Sequence, residues 1–327
     1  MARARPFRPV RQRLETILLR TMGAAARTVG FDRASDVGAA IGRIAFRVLE
    51  RRREIAIENV TRSLGEQPGG ESARALARRA FEQLGRSFLE FLALPAEPRE
   101  RILSRVEFVG FEPAEEWARA KRGAILLTGH FGNWELIGAA VGMRYAPVKY
   151  VLPAQTNPGS DAYLNEVRRA LGIEPILIGQ GMRTALKSLR AGAFLGMLPD
   201  QDARKAGIHV PFFGRPASTH TGPARLAIRG NAPILVAVLE RVGRGSFRAR
   251  SVLVTEPDPK RDETEEVFRL TREITAALEG AIRERPDHWY WIHRRWKTPP
   301  GPPSPEALPR GRRRRPDQED VNPISFA

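Results

Sequence analysis

The chain has no cysteine among its 327 residues, which excludes disulfides, zinc–thiolate sites and thiol catalysis. It also has no uninterrupted apolar run of the ~18 residues that read as a transmembrane helix. The Arg-rich N-terminus lacks the continuous apolar stretch and cleavage site of a secretory signal peptide. Segment 14–30, LETILLRTMGAAARTVG, is interrupted by Arg20 and Arg27, so it suits an amphipathic helix lying on a surface. No Gly-x-Ser-x-Gly occurs, which argues against an α/β-hydrolase, and Gly179-Gln180-Gly181 is too short for a dinucleotide site. Negative charge is scarce. The 54 Lys+Arg outnumber the 37 Asp+Glu by 17, pointing to an anionic partner: anionic lipid, an acidic carrier protein or nucleic acid.

What is present describes a globular protein with a real core: 42% hydrophobic and 28% charged residues. Residues 1–54 carry 13 Arg against 5 acids. The spacing of small and apolar residues predicts helices over 14–30, 34–50, 54–64 and 71–95. From about residue 105 short apolar runs (VEFVG, GAILLTG, VKYVL, EPILIG, AFLGML, HVPFF, PILVAVLE, FRARSVLV) alternate with helical stretches. That alternation predicts an α/β fold: N-terminal helices, then a mixed, largely parallel sheet flanked by helices. The expected division is a basic helical region at 1–104, an α/β core at 105–297 and a disordered Pro/Arg-rich tail at 298–327. The tail holds 8 of the 26 prolines.

The most informative segment is Leu126-Leu127-Thr128-Gly129-His130-Phe131-Gly132-Asn133-Trp134-Glu135. An apolar strand runs into a Gly-flanked loop, and a helix opens near Asn133, a good capping residue. Sites in open α/β sheets lie at the carboxyl ends of strands, which is where His130 falls. Glu135, in the first helical turn, is placed to fold back on the imidazole, fix its tautomer and support its charge. His130 is then a candidate general base for a hydroxyl, and the free N–H groups of the following helix a candidate oxyanion site. The plainer alternative is a structural histidine with an exposed glutamate.

His130-Phe131-Gly132-Asn133-Trp134-Glu135 resembles the HFGNWE motif of the lipid A biosynthesis lauroyl/myristoyl acyltransferases. The resemblance recurs downstream, in order. Pro199-Asp200-Gln201-Asp202 leads to Val210-Pro211-Phe212-Phe213-Gly214-Arg215-Pro216-Ala217-Ser218-Thr219, similar to the family's DQD and VPFFG-x-PAS/T segments. Trp289-Tyr290-Trp291-Ile292-His293-Arg294-Arg295-Trp296-Lys297 is similar to the closing WxWxHRRWK, and Arg53–Val60 to the family's early Arg-to-Asn helix. Together they span roughly residues 35–297, and separate ordered motifs are far more specific than one. One feature departs from the pattern: Asn157-Pro158 is present, but Leu152-Pro153-Ala154 carries no Arg ahead of it.

The resemblance implies an acyltransferase at the cytoplasmic face of an inner membrane, peripheral or shallowly inserted, moving an acyl group from a carrier-protein or coenzyme A thioester to an anionic lipid acceptor. In the family the motif His is the base and the acidic residue after the intervening four is its partner, here His130 and Glu135. Substrate contacts are expected from Asn133, Asp200, Asp202, Arg215, Ser218, Arg294 and Arg295. The thioester is already activated, so no metal or organic cofactor is implied. Three alternatives remain open. Asp200-Gln201-Asp202 also reads as a Mg²⁺-binding Asp-x-Asp of a glycosyltransferase or as a solvated turn. Ser218 and Thr219 read as caps of the next helix. The closing Trp residues suit either a membrane interface or the core. The missing Arg suggests a different amphiphile as acceptor. A nucleic-acid-binding reading rests on charge alone, without a recognition motif, and no nucleic-acid partner is expected.

Overall fold

The computed structural model describes residues 8–65, 72–178 and 181–300. Four helices come first: α1 (Arg8–Val29), α2 (Phe31–Val48), α3 (Glu50–Leu64) and α4 (Ala73–Ala93). Glycines set how closely α2 and α4 pack. A Cβ on Gly38 would lie 2.3 Å from the Gly85 carbonyl oxygen, so the two backbones touch where any side chain would hold them apart. Phe46 and Phe81 then meet edge to face beside that contact. A short helix, α5 (Arg99–Ser104), leads into the sheet and buries Ile102.

The α/β part follows as β1 (Val106–Val109), α6 (Glu112–Arg119), β2 (Ala124–Leu127), α7 (Trp134–Arg144), β3 (Val148–Leu152), α8 (Pro158–Ala170), β4 (Glu174–Leu177), α9 (Gly181–Arg190) and β5 (Phe194–Met197). It continues through β6 (Ile208–Phe212), β7 (Arg215–Thr219), α10 (Gly222–Gly230), β8 (Ile234–Gly243), β9 (Ser246–Thr255) and α11 (Glu263–Glu284). Seven strands form one sheet in the order β1-β9-β8-β2-β5-β3-β4, parallel except for the β8–β9 hairpin. This is the expected α/β class. All four residues of β2 are buried, as a central strand covered on both faces requires. Its Ala124 and Leu126 join the core under α6, α7 and α8, whereas Ile125 and Leu127 join the core under α9, α10 and α11.

β7 has no counterpart among the elements expected from sequence. It pairs with β6 through a two-residue turn in which Phe213 (φ 52°) and Gly214 (φ 69°) are both left-handed, as a tight hairpin of matching twist demands. Pro211 and Pro216 sit opposite one another, which a small two-stranded ribbon tolerates and a central strand would not. The expected disordered tail falls, apart from Thr298–Pro300, outside the described residues.

Candidate active site

His130 follows β2 and Asp200 follows β5, and these strands are parallel neighbours with Leu127 level with Met197. Their carboxyl ends therefore deliver both side chains to one place. His130 Nδ1 lies 2.8 Å from Asp200 Oδ1. The other carboxylate oxygen accepts the His130 backbone N–H at 2.8 Å and the Trp289 indole N–H at 2.9 Å. Burial would raise the Asp200 carboxyl, but the facing imidazole and these donors outweigh it and lower it to about 2. An ionised Asp200 fixes the proton on Nδ1 and leaves the Nε2 lone pair free to take another. Trp134 and Tyr290 flank the imidazole, with ring centroids 5.0 and 5.6 Å away, and the Gln201 amide nitrogen stands 3.4 Å from Nε2.

Glu135 does not fold back on His130. It is buried inside the first turn of α7, where Arg168 of α8 holds it through its terminal nitrogen at 2.6 Å and its Nε at 3.1 Å. Arg168 in turn donates to Asn165 at 2.8 Å. Burial disfavours the Arg168 cation, yet the Glu135 charge more than offsets it and the guanidinium is held protonated. The expected His130–Glu135 contact is thus replaced by His130–Asp200, because the helix aims Glu135 into the α7–α8 interface while the neighbouring strand presents Asp200 to the loop.

The loop is clamped by distant segments. Gly132 has φ 54°, and a Cβ there would meet the Leu239 carbonyl oxygen at 1.9 Å, so only glycine fits. Ser87 of α4 donates to the Gly132 carbonyl at 2.8 Å. The closing segment adds Gly132 N–H to the His288 carbonyl, and Tyr290 N–H to the His130 carbonyl. Consequently the backbone N–H groups of His130, Phe131 and Gly132 all have protein acceptors, and the Leu136 N–H is taken by Asn133. Of the helix N–H groups anticipated as an oxyanion site, that of Leu136 is therefore already engaged.

The other expected contact residues fall into structural positions. Asn133 caps α7 and donates to buried Glu90 at 3.0 Å, which also pairs with Arg241. Asp202 accepts from the Thr298 hydroxyl at 2.8 Å and the Arg204 N–H at 2.9 Å, tying Thr298 to the segment after β5. Ser218 and Thr219 lie in β7 and cap nothing; α10 begins at Gly222 after Thr221, and Ser218 donates to the Arg204 carbonyl at 2.6 Å. Arg215 stacks over Trp296 at 4.2 Å. Arg295 is buried, binding the Ser218 carbonyl and the Thr219 hydroxyl; burial pushes its guanidinium down to about 10. Only Arg294 is exposed. The closing aromatics resolve in favour of the core: Trp289 and Trp291 are buried and Trp296 packs against Phe212. His288 and His293 each accept a backbone N–H, from Arg241 and Asp202, both at 3.0 Å.

The sequence model of the bacterial lipid A biosynthesis acyltransferase family matches residues 6–298. The chain belongs to that family. It is an acyltransferase, and the resemblance carried by its three motifs is confirmed across most of its length. It is 27% identical over 271 residues to a lipid A biosynthesis lauroyltransferase of Escherichia coli (strain K12), covering 82% of this chain and 87% of that one. It is 24% identical over 270 residues to a lipid A biosynthesis palmitoleoyltransferase of the same organism, covering 81% and 85%. A phosphatidylinositol mannoside acyltransferase of Mycobacterium tuberculosis (strain CDC 1551 / Oshkosh) is 24% identical over 247 residues, covering 73% and 75%.

Proposed function

We propose that the chain transfers a fatty acyl group from a carrier-protein or coenzyme A thioester to a hydroxyl of a lipid A precursor, with His130 as general base and Asp200, rather than Glu135, as its partner. The observation that carries this is the 2.8 Å contact of Nδ1 with an ionised, buried Asp200, which leaves Nε2 basic. In the reaction the acceptor hydroxyl gives its proton to Nε2 as its oxygen attacks the thioester carbonyl. The carbonyl π pair moves onto oxygen. Collapse of that intermediate expels the thiolate, which recovers the proton from Nε2. Asp200 stabilises the imidazolium between the two transfers. A second reading, acylation of another amphiphile, is supported by the missing Arg and by the similarity to a mycobacterial phosphatidylinositol mannoside acyltransferase. Mass spectrometry of purified protein given lauroyl thioester and detergent-dispersed lipid A precursor tests the proposal. Acylated product is expected from the wild type and none from His130→Ala; wild-type turnover by that variant would refute the assignment.

The proposed location is the cytoplasmic face of the inner membrane, with residues 1–104 as the membrane-associating region. No helix among the described residues is long and apolar enough to cross a bilayer. Instead α1 exposes Val10, Leu14, Ile17 and Leu18, and α2 exposes Val37, Ile41, Ile44 and Val48, both at helical spacing. Exposed Arg13, Arg33, Arg47 and Arg51 are interspersed, each worth about 1 kcal/mol beside anionic lipid. Truncation at residue 30, the obvious test, would also strip Gly23 and Ala26 from the core they bury against, so point changes are cleaner. Leu14→Glu with Ile44→Glu should release protein from phosphatidylglycerol vesicles without lowering Tm. Complete resistance of the wild type to alkaline carbonate would overturn peripheral attachment.

A further inference from the structure

The general base has a neighbour on its reacting side that no motif role accounts for. Gln201 lies between the two aspartates of its segment, half-buried, with its amide nitrogen 3.4 Å from His130 Nε2. Because Asp200 holds the proton on Nδ1, Nε2 is an acceptor, so the amide must present its NH₂ rather than its carbonyl. At 3.4 Å the bond is longer than the 2.7–3.2 Å of a good N–H donor and yields readily to an incoming hydroxyl. Of the nearby backbone donors, the N–H groups of His130, Phe131, Gly132 and Leu136 end on protein acceptors.

From these two facts, resting on the acyl-transfer reading above, we infer that the Gln201 side-chain amide donates to the oxyanion of the tetrahedral intermediate. The attacking oxygen must sit about 3 Å from Nε2 to lose its proton. The carbonyl oxygen that takes the charge is two bonds from the attacking oxygen, within reach of a donor already beside that nitrogen. As the hydroxyl displaces the amide from Nε2, the freed N–H turns to the developing charge. No bond to Gln201 is made or broken. It donates a hydrogen bond that strengthens as the π pair moves onto oxygen and relaxes as the thiolate leaves.

The test is steady-state kinetics with lauroyl-coenzyme A and lipid A precursor, following the released thiol with a disulfide dye; a chain without cysteine contributes no background. Gln201→Met keeps the volume and removes the donor, and Gln201→Ala removes both. Each should lower kcat by about 10²–10³-fold, the usual loss for one oxyanion donor. KM for the thioester should move by less than about threefold, as for a contact made only in the transition state. Gln201→Glu should lose at least as much and also move the ascending limb of the pH–rate profile upward, since a carboxylate would favour the protonated ring. The other titratable groups around the imidazole are Asp200, Tyr290 and His293, unchanged in all three variants. Wild-type kcat in folded Gln201→Met, or a rise in kcat with a fall in acceptor KM, would overturn the inference and leave Gln201 a resting-state cover. His130→Ala run in parallel separates the failures. If it too retains turnover, the assignment of the base is wrong; if it alone is inactive, only the role of Gln201 falls. A wild type inactive on both coenzyme A and carrier-protein thioesters would overturn the thioester reading and this inference together.

Discussion

Two buried carboxylates stand within the same neighbourhood, and their surroundings differ completely. Asp200 faces an imidazole at the open end of the sheet, with 16% of the His130 side chain exposed. Glu135 faces a guanidinium inside the α7–α8 interface, both side chains nearly closed off. An imidazole can take up and release a proton near neutral pH, whereas a guanidinium stays charged throughout. The first pair is therefore able to do proton transfer and the second can only hold charge and shape. Proximity of an acid to a motif histidine along the chain did not distinguish these fates; the partner's chemistry does.

Breaking each pair should separate the two roles. Asp200→Asn should keep the fold but lower kcat/KM by about 10²–10⁴-fold, because the tautomer and the imidazolium both lose their support. Steady-state kinetics on protein of unchanged Tm reads this directly. Glu135→Gln should act mainly on stability: it strands Arg168 and costs about 3–5 kcal/mol, while Glu135→Met with Arg168→Met should recover most of that loss. Denaturant titration measures both. A fully folded Glu135→Gln as inactive as Asp200→Asn would reinstate the pairing suggested by spacing.

The smallest effect lies in acid. Burial holds His293 down to about 4, so it is neutral in the folded state and free to accept the Asp202 N–H. The unfolded chain binds the extra proton first, near the ordinary value of about 6.5. This contribution to stability is therefore full above that pH and is lost as pH falls toward 4. Asp200, held at about 2, loses its contribution only at lower pH, between its ordinary range and that value. Thermal melts between pH 7 and 4 should slope downward in the wild type and flatten in His293→Gln; an unchanged slope would place the titration elsewhere.

The sequence by itself determined the family, the α/β class, the order of the elements from α1 to α11 apart from α5 and β7, and the position of His130 in the loop after β2. These are properties of local periodicity and of residues contiguous in one loop: an apolar strand, His130 between two glycines, a capping Asn133. Which acid meets His130 was decided only by the tertiary structure. Glu135 is five residues from His130 and Asp200 seventy, yet β2 and β5 lie side by side in the sheet and α7 turns Glu135 away. The same holds for Trp289, which reaches Asp200 from the far end of the chain, and for Ser218, whose residue type suits a cap but whose backbone is a strand. Side-chain direction follows from strand pairing and helix phase, and a sheet assembled from non-consecutive strands writes neither into neighbouring residues.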